Sequence, residues 1–283
     1  MGRENYRSLY GDLTKLKDQA GVQESATTYD TALWQLLLAN SEAIDMWLGR
    51  RIAPITTTRY FDGPGTFGNS TKRTDELWTP DLISITTLKE DTAKDLAYAT
   101  TWATTDYWKW PYNAEPTKHW GRPYEKLRVR SSPGTKADFK AGEQRFQIVG
   151  VFGYRQFTEA SGSTTAEAVD AAETAIDVTL GTDFQPGQTI IIDTEQMLVV
   201  SISSNTLTVV KGLNGTTDAA HATATAISIL RWPAPIERAC IINTARMYAR
   251  APIFEPFYVD VDLDSDVRQM LEPYRRQPSE PLD

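Results

Sequence analysis

Two hydrophobic periodicities alternate along the chain. Over 28–48, Leu33, Leu36, Leu37, Asn40, Ile44, Trp47 and Leu48 recur at i, i+3, i+4 and i+7, which predicts a long helix with one buried face. Thr28 is placed to cap it, and Asp30 sits in its first turn. Gly49 ends it, with Arg50 and Arg51 beside its C-terminal dipole. A second helix is predicted from Pro235 to about Ala251, with Pro252 as its stop. Ile236, Cys240, Ile241, Ala245, Met247 and Tyr248 cover most of its circumference, and Arg238, Arg246 and Arg250 share the remaining strip. A weaker helical pattern through Tyr6, Leu9, Tyr10, Leu13 and Leu16 predicts an arm or a loosely attached helix within 1–24. A short helix is expected over 266–271, with Ser265 as cap and Pro273 as stop.

Between the helices the period changes to two. Strands are predicted over 56–61, 76–80, 82–89, within 100–110, and over 124–130 and 143–149. The last runs on through Val149-Gly-Val-Phe-Gly-Tyr154. After it, residues 158–173 are rich in Ser, Thr, Ala and Glu and read as a linker with a helical turn. Five short strands follow over 174–178, 189–193, 196–202, 206–210 and 226–230, which predicts a small barrel or sandwich. The chain then returns to helix at Arg231-Trp232-Pro233.

The expected organisation is an arm (1–24), the first part of a core (25–157), an inserted β-domain (158–230), the second part of the core (231–252), and a short helix and tail (253–283). The fold class expected is α+β: a mainly helical core with a small β-sheet region, plus an inserted all-β barrel or sandwich.

Charge sharpens this division. The chain carries a net −8. Residues 158–230 hold nine acidic residues against Lys211 alone, so they account for all of it and the rest is neutral. No basic stripe of the kind used for reading nucleic acid is apparent. No apolar run approaches the ~18–20 residues of a membrane span. The opening Met1-Gly-Arg-Glu-Asn-Tyr6 has no apolar core, so no secretory signal is expected. The lone cysteine, Cys240, excludes an intrachain disulfide and reads as a buried small side chain.

The loudest candidate chemistry is aromatic. Tyr98, Trp102, Tyr107, Trp108, Trp110, Tyr112, Trp120 and Tyr124 crowd into 98–124. They would serve as strand packing, as a subunit interface, or as a platform that stacks sugars or bases. Asp260, Asp262, Asp264 and Asp266 alternate like a calcium loop. The required Gly and Glu are replaced by Ser265 and Leu271, so a solvated acidic loop is the reading preferred. Asp193 and Glu195 could be paired carboxylates for glycoside hydrolysis, but both sit in one short turn. His221 reads as a side chain that fixes its loop. His119 and His221 have no Gly-x-Ser-x-Gly partner, and no phosphate-binding Gly loop is present. No catalytic residues, no cofactor and no metal are therefore expected.

Several short matches occur in a fixed order: Trp47-Leu48-Gly49-Arg50 ending the first helix, Tyr60-Phe61-Asp62-Gly63, Leu82-Ile-Ser-Ile-Thr86, Asp106-Tyr107 with Pro111-Tyr112-Asn113, Gly121-Arg122-Pro123-Tyr124, Val149-Gly-Val-Phe-Gly-Tyr154, and an Ala/Arg-rich helix over 235–250. In this order the chain resembles the head–tail adaptor (connector) proteins of long-tailed bacteriophages. Residues 174–230, with Gly-Leu-Asn-Gly-Thr-Thr217 and Ala-Ala-His221, resemble a small β-module inserted in phage structural proteins.

The resemblance implies a non-enzymatic virion protein of the neck, made in the host bacterial cytoplasm. It implies a homo-oligomeric ring of about twelve subunits, by analogy with the portal. The ring would join the portal protein to a stopper or tail-completion protein, and genome DNA would pass through without sequence-specific binding. The helices would build the annulus and the 253–283 tail would reach a neighbouring ring. Interface residues expected on this basis are Trp47, Arg50, Trp108, Trp110, Tyr112, Arg238, Arg246, Arg250, Phe254, Phe257, Tyr258 and Tyr274. The competing expectations are a carbohydrate-binding module that uses the 98–124 aromatics and, more weakly, a hydrolase with an unrecognised carboxylate site.

Overall fold

The computed structural model describes residues 6–67, 70, 71, 73–250 and 264–276, with no side-chain description for 66–72. The chain divides into two compact units. One is formed by residues 51–156, and the other joins the residues up to 50 with 157–276.

The 51–156 unit is built on one antiparallel sheet. Its elements are β1 (Ile55–Gly63), the small ribbon β2 (Thr66–Phe67) and β3 (Ser70–Thr71), β4 (Glu76–Glu90), β5 (Thr100–Trp102), β6 (Tyr107–Trp110), β7 (Tyr124–Val129) and β8 (Gly142–Phe152). The sheet order is β1-β8-β4-β7-β6, with β5 on β4. The two strands expected at 76–80 and 82–89 are one long strand. Its register shifts between Trp78 and Leu82, across Pro80, which has no N–H to give to a ladder. The first half of β4 pairs with β7 and the second half with β8. The inner face buries Leu77, Leu82, Leu88, Trp102, Tyr107, Leu127, Phe139, Phe146, Ile148 and Phe152 as one cluster. Gly153 follows β8 at φ 141°, where a Cβ would lie 2.6 Å from the Ala53 carbonyl oxygen, so a side chain is excluded on two counts.

The other unit combines helices and strands. Its elements are α1 (Leu13–Ala20), α2 (Asp30–Leu48), β9 (Phe157–Thr164), β10 (Ala175–Asp177), β11 (Thr189–Ile192), β12 (Glu195–Ser203), β13 (Thr206–Val210), β14 (Ala226–Arg231), α3 (Ala234–Arg250) and α4 (Ser265–Leu271). The six strands run in the order β10-β13-β12-β11-β14-β9. The two outer strands then meet. Thr165 bridges Val178, Thr179 N–H donates to Thr164 O at 3.0 Å, and Ala166 N–H donates to Asp177 O at 2.8 Å. The sheet is thereby closed into a small barrel. Alternate residues fill it: Ile176, Ile190, Ile192, Met197, Val199, Leu207, Val209, Ile227 and Ile229, with Val169, Val178 and Phe184 from the connections.

The opposite parity of the barrel is also partly buried. Thr189, Ile191, Gln196, Leu198 and Leu230 point away from its interior yet are shielded from water. The N-terminal segment lies against this side. Ser8 bridges Thr189 Oγ1 and Asn214 Nδ2 at 3.0 and 2.7 Å, and Leu13 N–H donates to Pro186 O at 2.8 Å. A Cβ on Gly187 would meet Asp12 Cα at 3.2 Å. On its other side the segment packs into the helices. Tyr10 is fully buried, with its hydroxyl donating to Asp45 at 2.6 Å and its ring edge-on to Trp232 at 5.0 Å. Buried Asn40 ties α2 to α3 by donating to the Cys240 carbonyl and Thr244 Oγ1.

Several expectations are corrected. The fold is not a mainly helical core. It is mostly β, 35% strand against 24% helix, because two six-stranded sheets outweigh four short helical stretches. The 1–24 segment is no loose arm in its described part, since Leu9, Tyr10 and Leu16 are fully buried. The linker expected at 158–173 begins as β9, which donates the barrel's closing strand. Tyr29, not Thr28, precedes α2, and no side-chain cap bond forms there. Likewise Asp264, not Ser265, precedes α4. The Gly49 terminus of α2 is left-handed, as the sequence predicts.

Tyr10→Ala should therefore lower the unfolding free energy by about 3–5 kcal/mol in urea titration, the loss typical of a buried aromatic. A change below about 0.5 kcal/mol, as for a surface residue, would mean the segment is not part of the folded unit.

Candidate functional site

The outer face of the β4–β7–β6 sheet carries a cluster of exposed aromatics, Trp78, Trp108 and Tyr112. Register places Trp108 opposite Arg128, Trp110 opposite Lys126, Trp78 opposite Lys126, and Glu76 opposite Arg128. Directly paired residues share a face, so these six side chains form one surface across three strands. At its base lies Glu76, 5% exposed, with Lys126 Nζ and an Arg128 guanidinium nitrogen each 2.9 Å from its carboxylate. The same two cations cover indoles: Lys126 Nζ lies 4.1 Å from the Trp78 ring centre and the Arg128 guanidinium 4.8 Å from that of Trp110. Arg130 lies 4.0 Å over Trp108, and Tyr112 meets both Trp108 and Trp110 edge-on. Trp108 remains 42% and Tyr112 52% exposed. Beside them Trp108, Lys109, Tyr112 and Tyr124 line a surface depression of about 470 Å³. Burial holds the Lys109 ammonium below its ordinary range.

The edge of this face is held by Asp106. Its carboxylate accepts from the Ala103 and Thr135 N–H groups, both at 2.8 Å, and from Thr135 Oγ1. Its carbonyl accepts from Arg130 N–H at 2.8 Å. One residue thus fixes the start of β6, and with it Trp108, against the end of β7. Burial pushes this carboxyl up, but the Thr135 and Ala103 donors outweigh it and hold it below the usual carboxylate range.

The 98–124 aromatics therefore serve two purposes. Tyr98, Trp102 and Tyr107 are buried, with Trp102 stacked on Phe139 at 4.6 Å. Trp108, Trp110 and Tyr112 belong to the outer face. Trp120, 64% exposed, stands apart with its indole N–H on Glu115. Glu76, Trp78, Lys126, Arg128 and Arg130 were not singled out as site residues from sequence. The signal available was the alternation of cation and spacer in Lys126-Leu-Arg128-Val-Arg130.

The remaining expected interface residues lie in the other unit or outside the description. Arg246 forms a bidentate pair with Asp266 at 2.8 and 2.6 Å and also reaches Asp264, with Arg250 at 3.5 Å from Asp264. These contacts tether α4 to α3, and the Arg246 hydrogen bonds pull the Asp266 carboxyl down to about 2. Trp47 is half-buried with the Arg275 guanidinium 5.1 Å from its ring. Arg50 and Tyr274 are half-buried, and Arg238 is exposed on α3. Phe254, Phe257 and Tyr258, like Asp260 and Asp262, lie outside the described residues.

The polar candidates of the barrel form a lock. His221 sits between Asp193 and Glu195, its ring nitrogens 2.8 and 2.9 Å from their carboxylates. Glu195 also accepts from the Gly212 and Ala219 N–H groups, and buried Lys211 donates to the Asp170 and Ala219 carbonyls. One imidazole therefore fills the space between the two carboxylates, and the cluster pins the 211–221 loop to the β11–β12 turn. Cys240 is fully buried, and burial pushes its thiol up to about 11. Among the described residues no group of three or more His, Cys, Asp or Glu is placed to hold a metal ion, and no helix is long and apolar enough to cross a membrane. A groove of about 870 Å³ runs between α1, α2 and the barrel, with Leu13, Lys17, Trp34, Phe184 and Ile202 in its walls.

Comparison with known proteins found no matching family model, no similar curated protein and no similar solved structure.

Two measurements test this site. Glu76→Ala leaves Lys126 and Arg128 facing each other without their shared carboxylate. It should cost about 2–4 kcal/mol in urea unfolding and change the near-UV signal of the indoles. Asp106 has a depressed folded pKa, so its contribution is present above the ordinary carboxyl range and lost as pH falls through the folded value. The stability gap between wild type and Asp106→Asn should therefore narrow from pH 7 to pH 3, and a gap that is constant with pH would contradict this assignment.

Proposed function

We propose that the protein is a structural assembly protein of a long-tailed phage neck. In this reading its copies form a ring that joins the portal vertex to the stopper or tail and surrounds the DNA exit channel. The observation that carries the reading is the outer face of β4, β7 and β6. Exposed Trp and Tyr interleaved with Arg are the side chains that dominate protein–protein contacts, because Trp and Tyr cover a large area at a small entropic cost and Arg adds directed polar contacts. The order of the sequence matches, from Trp47-Leu48-Gly49-Arg50 through Val149–Tyr154, supports the assignment to the adaptor class. A helical annulus is not carried over, because the chain is mostly β.

Charge is compatible with a conduit. Cations grip duplex phosphates irrespective of sequence. Here Lys126 and Arg128 are committed to Glu76, Arg246 to Asp264 and Asp266, and Lys211 is buried. The sugar-stacking alternative fits the same face less well, because Arg130, Arg128 and Lys126 already lie over the indoles that a sugar would need.

Electron microscopy and ultracentrifugation of the full chain, alone and mixed with the portal protein, test the proposal. Rings alone, or rings seated on the portal, are expected. Monomers under both conditions would overturn it.

A further inference from the structure

Charge in this chain is segregated between surfaces. Residues 51–156 hold sixteen basic and twelve acidic residues, a net +4, whereas 158–230 hold nine acidic and one basic, a net −8. The contrast is sharper at the surface. Lys211, the single lysine or arginine of 158–230, has no exposed side-chain area, and His221 is buried with it. Apart from Arg231 at the end of β14, which is paired with Glu159 at 2.8 Å, the barrel therefore shows water carboxylates and no lysine or arginine. Glu167 and Asp170 are exposed in the connection after β9, and Asp193 in the β11–β12 turn. On the 51–156 sheet the surplus is positive. Arg130 lies over Trp108 with its Nε on the Ser132 carbonyl, and no carboxylate lies within ion-pair distance of it among the described residues.

We propose that this cation–aromatic face docks on the acidic barrel surface of a second copy of the chain. The inference rests on the assembly reading above and names the subunit contact within it. The two patches are different and of opposite charge, so the contact is head-to-tail. Such a contact, repeated, closes into a ring where its rotation divides a full turn and otherwise grows as an open filament, whereas a contact between two like patches stops at a dimer. Pairing the positive faces with each other would set Arg130 against its own copy, a like-charge juxtaposition that complementary surfaces avoid. The indoles supply the apolar area, and the cations supply steering and register.

The test uses the full chain and two charge reversals, Arg130→Glu on the sheet and Glu167→Lys with Asp170→Lys on the barrel. Circular dichroism and the urea midpoint confirm that each folds. By mass photometry and sedimentation velocity, wild type should form oligomers that weaken at about 0.5 M salt, where charge is screened over a few ångström. Each variant should associate on the order of tenfold more weakly or worse. An equimolar mixture of the two variants should recover association, because one retains an intact barrel, the other an intact sheet face, and the two reversed patches are again of opposite charge.

A variant that assembles like wild type, or a mixture that stays monomeric, overturns the contact. So does binding of an oligothymidylate probe that is lost in Arg130→Glu while self-association is unchanged, since nucleic acid would then be the occupant. Rings that persist in both variants remove this contact and leave the adaptor reading standing. Salt-sensitive head-to-tail oligomers that remain open filaments, and form no ring alone or on the portal, do the reverse. A wild-type chain that is monomeric at every concentration, with and without portal, removes both.

Discussion

A carboxylate withdrawn from water must be met by opposite charge, and Glu76 is so withdrawn at the start of β4. Lys126 and Arg128 meet it from the neighbouring strand. Their long side chains then have little freedom left, and each lies across an indole, Trp78 and Trp110 respectively. The surface is thus ordered from beneath: one buried charge fixes two cations, and the cations fix the rings. Asp106 works at the edge of the same surface by holding the beginning of β6 and the end of β7 with one side chain. A face set in this way loses little side-chain entropy on docking, which is a large part of what limits affinity at surfaces rich in long side chains.

The barrel obeys a different constraint. A closed barrel of short strands can bury one parity inside itself, but Ile191 and Leu198 belong to the other parity and need an outside cover. The N-terminal segment lies on this outer side, between the barrel and the helices. Ser8 is shared by Thr189 and Asn214 on one side of it, and Tyr10 reaches Asp45 and Trp232 on the other. The acidic module is accordingly continuous in packing with α1, α2 and α3, even though its composition sets it apart.

Local elements were legible because their signals are local. The periodicity of 28–48, the left-handed Gly49, Pro235 in the first turn of α3 and the alternating runs of the barrel each sit within one helix or one strand. What sequence could not convey is pairing. Nothing in 158–164 marks β9 as a strand, since Glu159, Ala160, Ser161 and Gly162 lack the β-branched pattern. It is a strand because β14 offers it a ladder and β10 a closing bridge. Pro80 reads as a break, yet β4 continues through it because a register shift absorbs the missing donor. The expectation of a mainly helical core failed where the β-branched and aromatic alternation of 51–156 decided the fold. Of the site, Trp108, Trp110 and Tyr112 were visible as aromatics. Glu76 was not, because a buried carboxylate is recognisable only by the partners that strand register brings to it.

The two constraints together explain how a chain of net −8 can present a face of surplus positive charge on which few cations stand free. Phosphate affinity grows with the number of cations free to displace counterions. On the β4–β7–β6 face Glu76 offsets one of the two charges of Lys126 and Arg128 and holds both side chains, and Arg130 lies over a ring, so the surplus is small and shaped. On the barrel the only lysine is spent internally on the carbonyls of Asp170 and Ala219. A duplex passing such surfaces meets few free cations and many carboxylates. A rigid acidic surface of matching outline meets oriented cations and indoles that need no reordering. The selection between the two is made by geometry, because the cations available to a shaped partner are those whose side chains are already fixed.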